Sequence, residues 1–289
     1  MQPANILFEK LIQDGSIDNN LLISMSESRR SLFHNIYHEK GLYDHGISYY
    51  KQLVKIMKAM EDENTMLSRQ PLFQWNGQSS NSWLYEKMNM ELLLAGAAAK
   101  RGSNLSELKQ KRKYYGEAMK YSMVALNTLE GYHWEDVSLK YLPQFQDRFH
   151  IHNIFKHGSH YYKSMNDYSM KEKNESNEKC IRLAYQMMDV ATNVWEQQDD
   201  LVEELYALKA EYALSVASKL EDDKCGEKVA LLKPYQESSI VPEYVKAEYT
   251  KWKQQNQQVY FGKEQTDITI NPSSLESLFQ NLPDISVDL

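Results

Sequence analysis

Apolar residues recur every three or four positions over most of this chain, the period of helices packed on one side. From Tyr43 to Met60 the stripe is Gly46, Tyr50, Leu53, Met57 and Met60, and from Leu105 to Glu130 it is Tyr114, Ala118, Tyr121, Ala125 and Leu129. Ser103 or Ser106 is placed to cap the second of these helices, with Glu107 in its first turn. A further helix is expected from about His150 to Met170. Glu178 to Gln197 aligns Ile181, Tyr185, Met188, Thr192 and Trp195, and Asp199 to Leu220 aligns Leu201, Leu205, Leu208, Tyr212 and Val216. Pro242 opens another helix that runs through Gln255, since proline suits a first helical turn.

One stretch departs from the one-sided pattern. Trp83 to Lys100 reads WLYEKMNMELLLAGAAAK, and its second half, from Leu92 through Ala99, has no polar face. A helix apolar all round is buried by neighbours on every side. Gly96 and the alanines would let partner backbones come close, which would offset the cost of about 1 kcal/mol for glycine in a helix interior. Glu86, Lys87 and Glu91 make the stretch a poor membrane span. It is expected to be the central rod of a large, soluble helical assembly.

The breaks are short and polar: NGQSSN at 76–81, KEKNESN at 171–177, joins at Pro143 and Pro234, and Asn271-Pro272-Ser273-Ser274 before a last apolar piece, Leu275 to Leu282. None is long enough to mark a domain boundary. The expectation is one continuous domain over 1–289, with 262–289 as an extended tail packing back on it. The fold class is all-α, an elongated tetratricopeptide-like solenoid of helix pairs. A strict repeat period is absent, and the helices look longer than that repeat allows. The 20 tyrosines suit such packing, with rings in helix–helix grooves and hydroxyls at the rim.

Composition narrows the setting. The 289 residues include only 11 glycines and 7 prolines, about half the average usage, which favours long helices. The net charge of −7 is spread over 33 basic and 40 acidic residues. No basic tract points to nucleic acid or an anionic membrane. Two cysteines, Cys180 and Cys225, are too few for a disulfide framework. The first fifteen residues lack the basic start, apolar core and cleavage site of a signal peptide. A cytoplasmic setting is expected, with the sequons at Asn104 and Asn174 unglycosylated.

Candidate chemistry is sparse. His150, His152, His157 and His160 lie together in HIHNIFKHGSH. On a helix His152 sits about 200 degrees from His150 and points elsewhere, the HExxH pattern is missing, and no acid lies within the cluster. These read as surface or rim histidines, as do His34, His38 and His45, and no metal or cofactor is expected. The cysteines stand outside any CxxC, and the chain carries no GxxxxGK[ST], GxGxxG or GxSxG. Adjacent acids such as Asp199-Asp200 do not share a helix face and make poor acid/base pairs. The sequence therefore points away from an enzyme.

Near the C-terminal end a polar helix runs into Lys253 to Lys263, KQQNQQVYFGK, followed by an irregular tail with Leu282-Pro283-Asp284-Ile285. Together with Phe73-Gln74-Trp75, the Tyr85-Glu86 start of the alanine-rich helix and the aromatic helix from Lys113-Tyr114-Tyr115 to Leu129, this resembles the BRO-one domain family of boomerang-shaped helical adaptors. The resemblance runs from about Arg30 onward and rests on the order of these motifs. There are departures: the family's β-containing N-terminal portion is reduced or absent, and HGSHYYKSM is more polar than the family's central helix.

The resemblance implies a non-enzymatic adaptor that holds the C-terminal amphipathic helix of an ESCRT-III core subunit in an apolar groove. Such a protein would be cytoplasmic and recruited to endosomes, serving multivesicular-body protein transport or ambient-pH response. Helix-in-groove binding uses apolar anchors at helical spacing. The matching positions fall near Tyr161, Ile181, Tyr185 and Leu278, and Ile181 and Tyr185 share a helix face. Tyr260 matches a tyrosine that some family members phosphorylate, and it also reads as a packed tail residue. Two other readings stand beside this one: a generic tetratricopeptide-like scaffold with an unrelated ligand, and a metal-dependent enzyme built on the histidine cluster.

Overall fold

A computed structural model describes residues 19–36, 41–63, 73–75, 78–80, 82–130, 142–173, 176–195, 199–272 and 275–282. Over these the chain is helical: α1 Asn19–Ile36, α2 Leu42–Glu63, α3 Trp83–Ser103, α4 Leu108–Glu130, α5 Leu142–Lys173, α6 Glu178–Val194, α7 Asp199–Ala217, α8 Cys225–Leu232, α9 Glu243–Gln255 and α10 Leu275–Phe279. The one sheet among the described residues is a hairpin of β1 Phe73–Trp75 and β2 Gln78–Ser80, in the antiparallel register Phe73↔Ser80 and Trp75↔Gln78. No helix among the described residues is long and apolar enough to cross a membrane.

The helices expected from periodicity are present, several with shifted ends. α5 begins at Leu142, so Pro143 lies in its first turn rather than at a join. α4 begins at Leu108, where Lys111 N–H donates to the Glu107 carbonyl at 2.9 Å. Ser103, one of the two expected caps, instead donates to the Lys100 carbonyl at the end of α3. α6 is capped by Asn177, whose side chain accepts from Cys180 N–H, and α9 follows Pro242 directly. Three helices are not expected from the periodicity: α1, the eight-residue α8 and the five-residue α10.

The chain divides into two compact units, with boundaries at Gly116 in α4 and His150 in α5. The first unit holds the described residues up to Asn104 and those of 117–150. Its core joins Leu22, Met25 and Leu32 of α1, Tyr49, Leu53 and Ile56 of α2, Phe73 and Trp75 of β1, and Met88, Met90 and Leu94 of α3.

The surroundings of α3 reverse the expectation for it. Its acidic first half is the buried part: Glu86 and Glu91 are both 0% exposed. A buried carboxylate is tolerated when paired and hydrogen-bonded. Glu86 accepts from Arg29 Nε at 3.1 Å, the Tyr49 hydroxyl at 2.7 Å and Trp75 Nε1 at 2.5 Å. Glu91 accepts from the Tyr50 hydroxyl at 2.6 Å and pairs with Lys87 at 3.2 Å. In the apolar second half Leu94, Ala95 and Ala98 are buried, but Gly96 is exposed, and a Cβ there would meet no atom within 4 Å. Alanine faces bury little area per residue, so burial on every side gains little there. The close approach falls on α2, where a Cβ on Gly46 would lie 2.8 Å from Leu94 Cδ2.

The second unit comprises residues 105–116 and the described residues of 151–283. α6 packs on α7 through Ile181, Ala184, Tyr185 and Met188 against Leu201 and Leu208. A second cluster joins Ala210 and Ala213 of α7, Val229 and Leu232 of α8, and Val245 and Trp252 of α9. After α9 a wide turn, Asn256–Tyr260, closes with Phe261 N–H donating to the Asn256 carbonyl at 2.7 Å. The Asn256 side chain brackets Gly262, accepting from its N–H at 2.8 Å and donating to its carbonyl at 3.0 Å. The segment beyond runs back over this unit, with Ile268 and Ile270 packed on its helices.

Candidate protein-binding site

The four candidate residues lie in the second unit but not in one cluster. Ile181 and Tyr185 are 0% and 1% exposed. They share a face of α6 as their spacing requires, and that face meets α7 and Ile270, with Tyr185 stacked on Tyr212 at 5.9 Å between ring centroids. Leu278, 1% exposed, sits in a neighbouring cluster formed by Phe155 of α5 and Leu183, Met187 and Ala191 of α6. Tyr161 is half-buried, its ring against Tyr162 at 5.2 Å and close to Gly116. Three of the four are thus interior residues, and Tyr161 alone has a substantial accessible part.

Tyr162, which the sequence reading passed over, links the two clusters. Its ring packs against both, and its hydroxyl donates to the Asn281 carbonyl at 2.6 Å. The doublet Tyr161-Tyr162 was visible in the sequence, but neighbouring residues on a helix point about 100 degrees apart, and nothing local says which faces inward. Phe155, Leu183 and Met187 also escaped notice. Leu183 and Met187 are four apart on α6, a spacing that could have flagged a second apolar face.

The α5–α6 seam is filled by the chain's own C-terminal residues. Leu278 enters it, the Phe279 ring meets Phe155 edge-on at 5.1 Å, and Gln186 Nε2 reaches the Asn271 carbonyl at 3.5 Å. A separate concavity of about 480 Å³, lined by Ser169, Ser176, Asn177, Glu178, Lys179, Arg182 and Lys219, is polar and of mixed charge, with Lys219 paired to Glu178, and does not suit an apolar helix.

The polar run of α5 is accounted for by pairing. Ser159 donates to the Ala184 carbonyl at 2.7 Å, His160 pairs with Glu204 at 2.9 Å, and Lys163 Nζ lies 2.5 Å from Glu211 and 2.7 Å from Asp167. Burial alone raises the Glu204 carboxyl, but the His160 hydrogen bond and charge, with Lys156 and Lys163, bring it below its usual range. Burial alone lowers the Lys163 ammonium, and Glu211 and Asp167 more than offset that.

The histidines are not the surface residues expected. His150, His152 and His157 are 0%, 3% and 6% exposed. His152 Nδ1 contacts the Ala191 carbonyl at 2.9 Å, while neither ring nitrogen of His150 has a hydrogen-bond partner among the described residues. Burial lowers the His150 imidazole to about 4. No group of three His, Cys, Asp or Glu side chains among the described residues is placed to share a metal ion. His34 and His38 lie outside the described side chains, and so do Asn174 and residues 283–289, which include the end of the Leu-Pro motif.

These features define a protein that is helical, apart from one short hairpin, over the described residues, with an apolar seam between α5 and α6. Among solved structures the fold is similar to that of ALIX, in its crystal structure with the SIVmac239 PYKEVTEDL late domain: TM-score 0.67 at 14% identity, covering 99% of this chain and 51% of the ALIX chain. The likeness supports a BRO-one-like fold, and this chain spans about half the length of that ALIX chain. No family model matches the sequence, and no curated protein matches it.

Proposed function

We propose that this chain is a non-enzymatic protein-interaction adaptor that binds the C-terminal amphipathic helix of an ESCRT-III core subunit. The observation that carries the reading is the fold likeness to ALIX over 99% of the chain, together with the apolar seam on α5 and α6. In this reading Phe155, Leu183 and Met187 give the seam its apolar floor, with Leu278 seated in it. Ile181 and Tyr185 set the position of α6 from behind, and Tyr161 is the accessible contact. An amphipathic helix presents anchors at i, i+3 or i+4 and i+7, the spacing such a seam accepts. The protein acts in the cytoplasm and is recruited to endosomes through this contact, in multivesicular-body sorting or ambient-pH signalling.

The test is binding of the full chain to a synthetic peptide of the ESCRT-III core subunit's C-terminal helix. The expected result is saturable binding that weakens by about 2 kcal/mol in Tyr161→Ala, the scale of an interface anchor. Absence of binding would overturn the ESCRT-III assignment and leave a helical scaffold with another ligand.

A further inference from the structure

The segment Leu275–Leu282 has the build of a plug rather than of a core helix. Leu278 is 1% exposed, but Leu275 and Phe279 on the same five-residue helix remain 39% and 38% exposed. Within the segment the Tyr162 hydroxyl of the body donates to the Asn281 carbonyl at 2.6 Å, and just before it Gln186 reaches the Asn271 carbonyl at 3.5 Å. A five-residue helix has no stability of its own. A short segment held by the buried Leu278, the half-buried Leu282 and the edge-on contact of Phe279 opens at a lower free energy than the helices beneath it.

We infer that Leu275–Leu282 is a displaceable strap, the chain's own occupant of the α5–α6 seam, which an incoming helix must replace. The strap also indicates the kind of partner the seam fits. That partner is a short amphipathic helix that places one leucine-sized side chain between Phe155, Leu183 and Met187. The inference rests on the helix-binding reading above, and it reverses the sign expected of Leu278. A residue that contacts the partner weakens binding when lost, whereas a residue that holds the strap strengthens it.

The experiment uses the full chain, its Leu278→Asp and Tyr162→Phe variants, and the same synthetic ESCRT-III helix peptide. Leu278→Asp expels the anchor, and Tyr162→Phe removes only the hydroxyl tie while keeping the packed ring. The expected result is affinity about tenfold higher for Leu278→Asp, as release of a competing closed state requires, and a smaller gain for Tyr162→Phe. Unchanged or weaker binding in both variants overturns the strap. Amide exchange supplies a readout that needs no partner. The strap predicts that residues 275–282 exchange about a hundredfold faster than the middle of α6, while exchange of the two together, at the rate of global unfolding, overturns it. If the peptide binds none of the three proteins, the ESCRT-III reading fails and the exchange result alone decides the strap.

Discussion

The indole N–H of Trp75 donates to Glu86 Oε2 across 2.5 Å, fastening the β-hairpin to the first turn of α3. The same carboxylate takes Arg29 of α1 and Tyr49 of α2, so four elements of the first unit meet at one buried charge. Burial alone would lower the Arg29 guanidinium, but Glu86 and Tyr49 more than compensate. Arg29→Met leaves Glu86 buried without its counter-charge and is expected to cost about 3–5 kcal/mol. Trp75→Phe removes one donor and is expected to cost about 1–3 kcal/mol. Urea unfolding of both variants and of the double variant measures this, and the two losses should not add, because the residues share one acceptor.

Two glycines are expected to respond to alanine with opposite signs. Gly96 is exposed in the interior of α3 with nothing near its Cβ position, so Gly96→Ala should stabilise by about 0.5–1 kcal/mol. Gly226, in α8, lies against the tail backbone, and a Cβ there would stand 2.7 Å from the Gly262 carbonyl carbon. Backbone cannot swing aside as a side-chain tip can, so Gly226→Ala should destabilise by about 1–3 kcal/mol. Thermal midpoints of the two variants, moving in opposite directions, check the pair.

His150 makes the fold acid-sensitive. Its imidazole is lowered to about 4 by burial, from an ordinary value of 6.5. The folded state therefore keeps it neutral while the unfolded chain takes up a proton below about 6.5. Stability is unaffected by this group above that pH and falls progressively from about 6.5 down to about 4, by up to about 3 kcal/mol. His152 shifts in the same direction, chiefly through burial. Denaturation midpoints measured across this range should decline in the wild type and decline less in His150→Leu.

Ile181 tests the core against the surface. It is 0% exposed between α6 and α7, so Ile181→Asp sets an unpaired carboxylate in an apolar core and is expected to cost more than about 4 kcal/mol. Loss of helical circular dichroism at moderate temperature would show it. Tyr161→Ala, at a half-buried site, should leave the far-ultraviolet spectrum unchanged. Any loss of binding in the Ile181 variant then reports unfolding, whereas a loss in the Tyr161 variant reports contact.

How far the sequence reached is clearest at α6. Its four-residue spacing placed Ile181 and Tyr185 on one face, and the spacing of Leu201, Leu205, Leu208 and Tyr212 gave α7 a stripe of its own; that the two pack on each other is what the structure adds. The same spacing held no information on whether α7 or a partner would cover the face. The hairpin was legible in principle, since Asn76-Gly77 stands between two short segments, a pair favoured in two-residue hairpins. α8 was not, because eight residues give too few turns for a period to register.

What the sequence determined by itself is the local order: helical period, the inward stripes of α2, α4, α6 and α7, and the starts of α6 and α9 at Asn177 and Pro242. These follow from forces acting within a few residues, namely side-chain spacing and satisfaction of helix-end N–H groups. Only the tertiary structure decided which charges are buried and what fills the α5–α6 seam. Arg29 meets Glu86 across 57 positions and Tyr162 meets Asn281 across 119. Over such separations the pairing partner is set by how the helices assemble, so the same Glu86 that reads locally as a solvated acid becomes the buried centre of its unit.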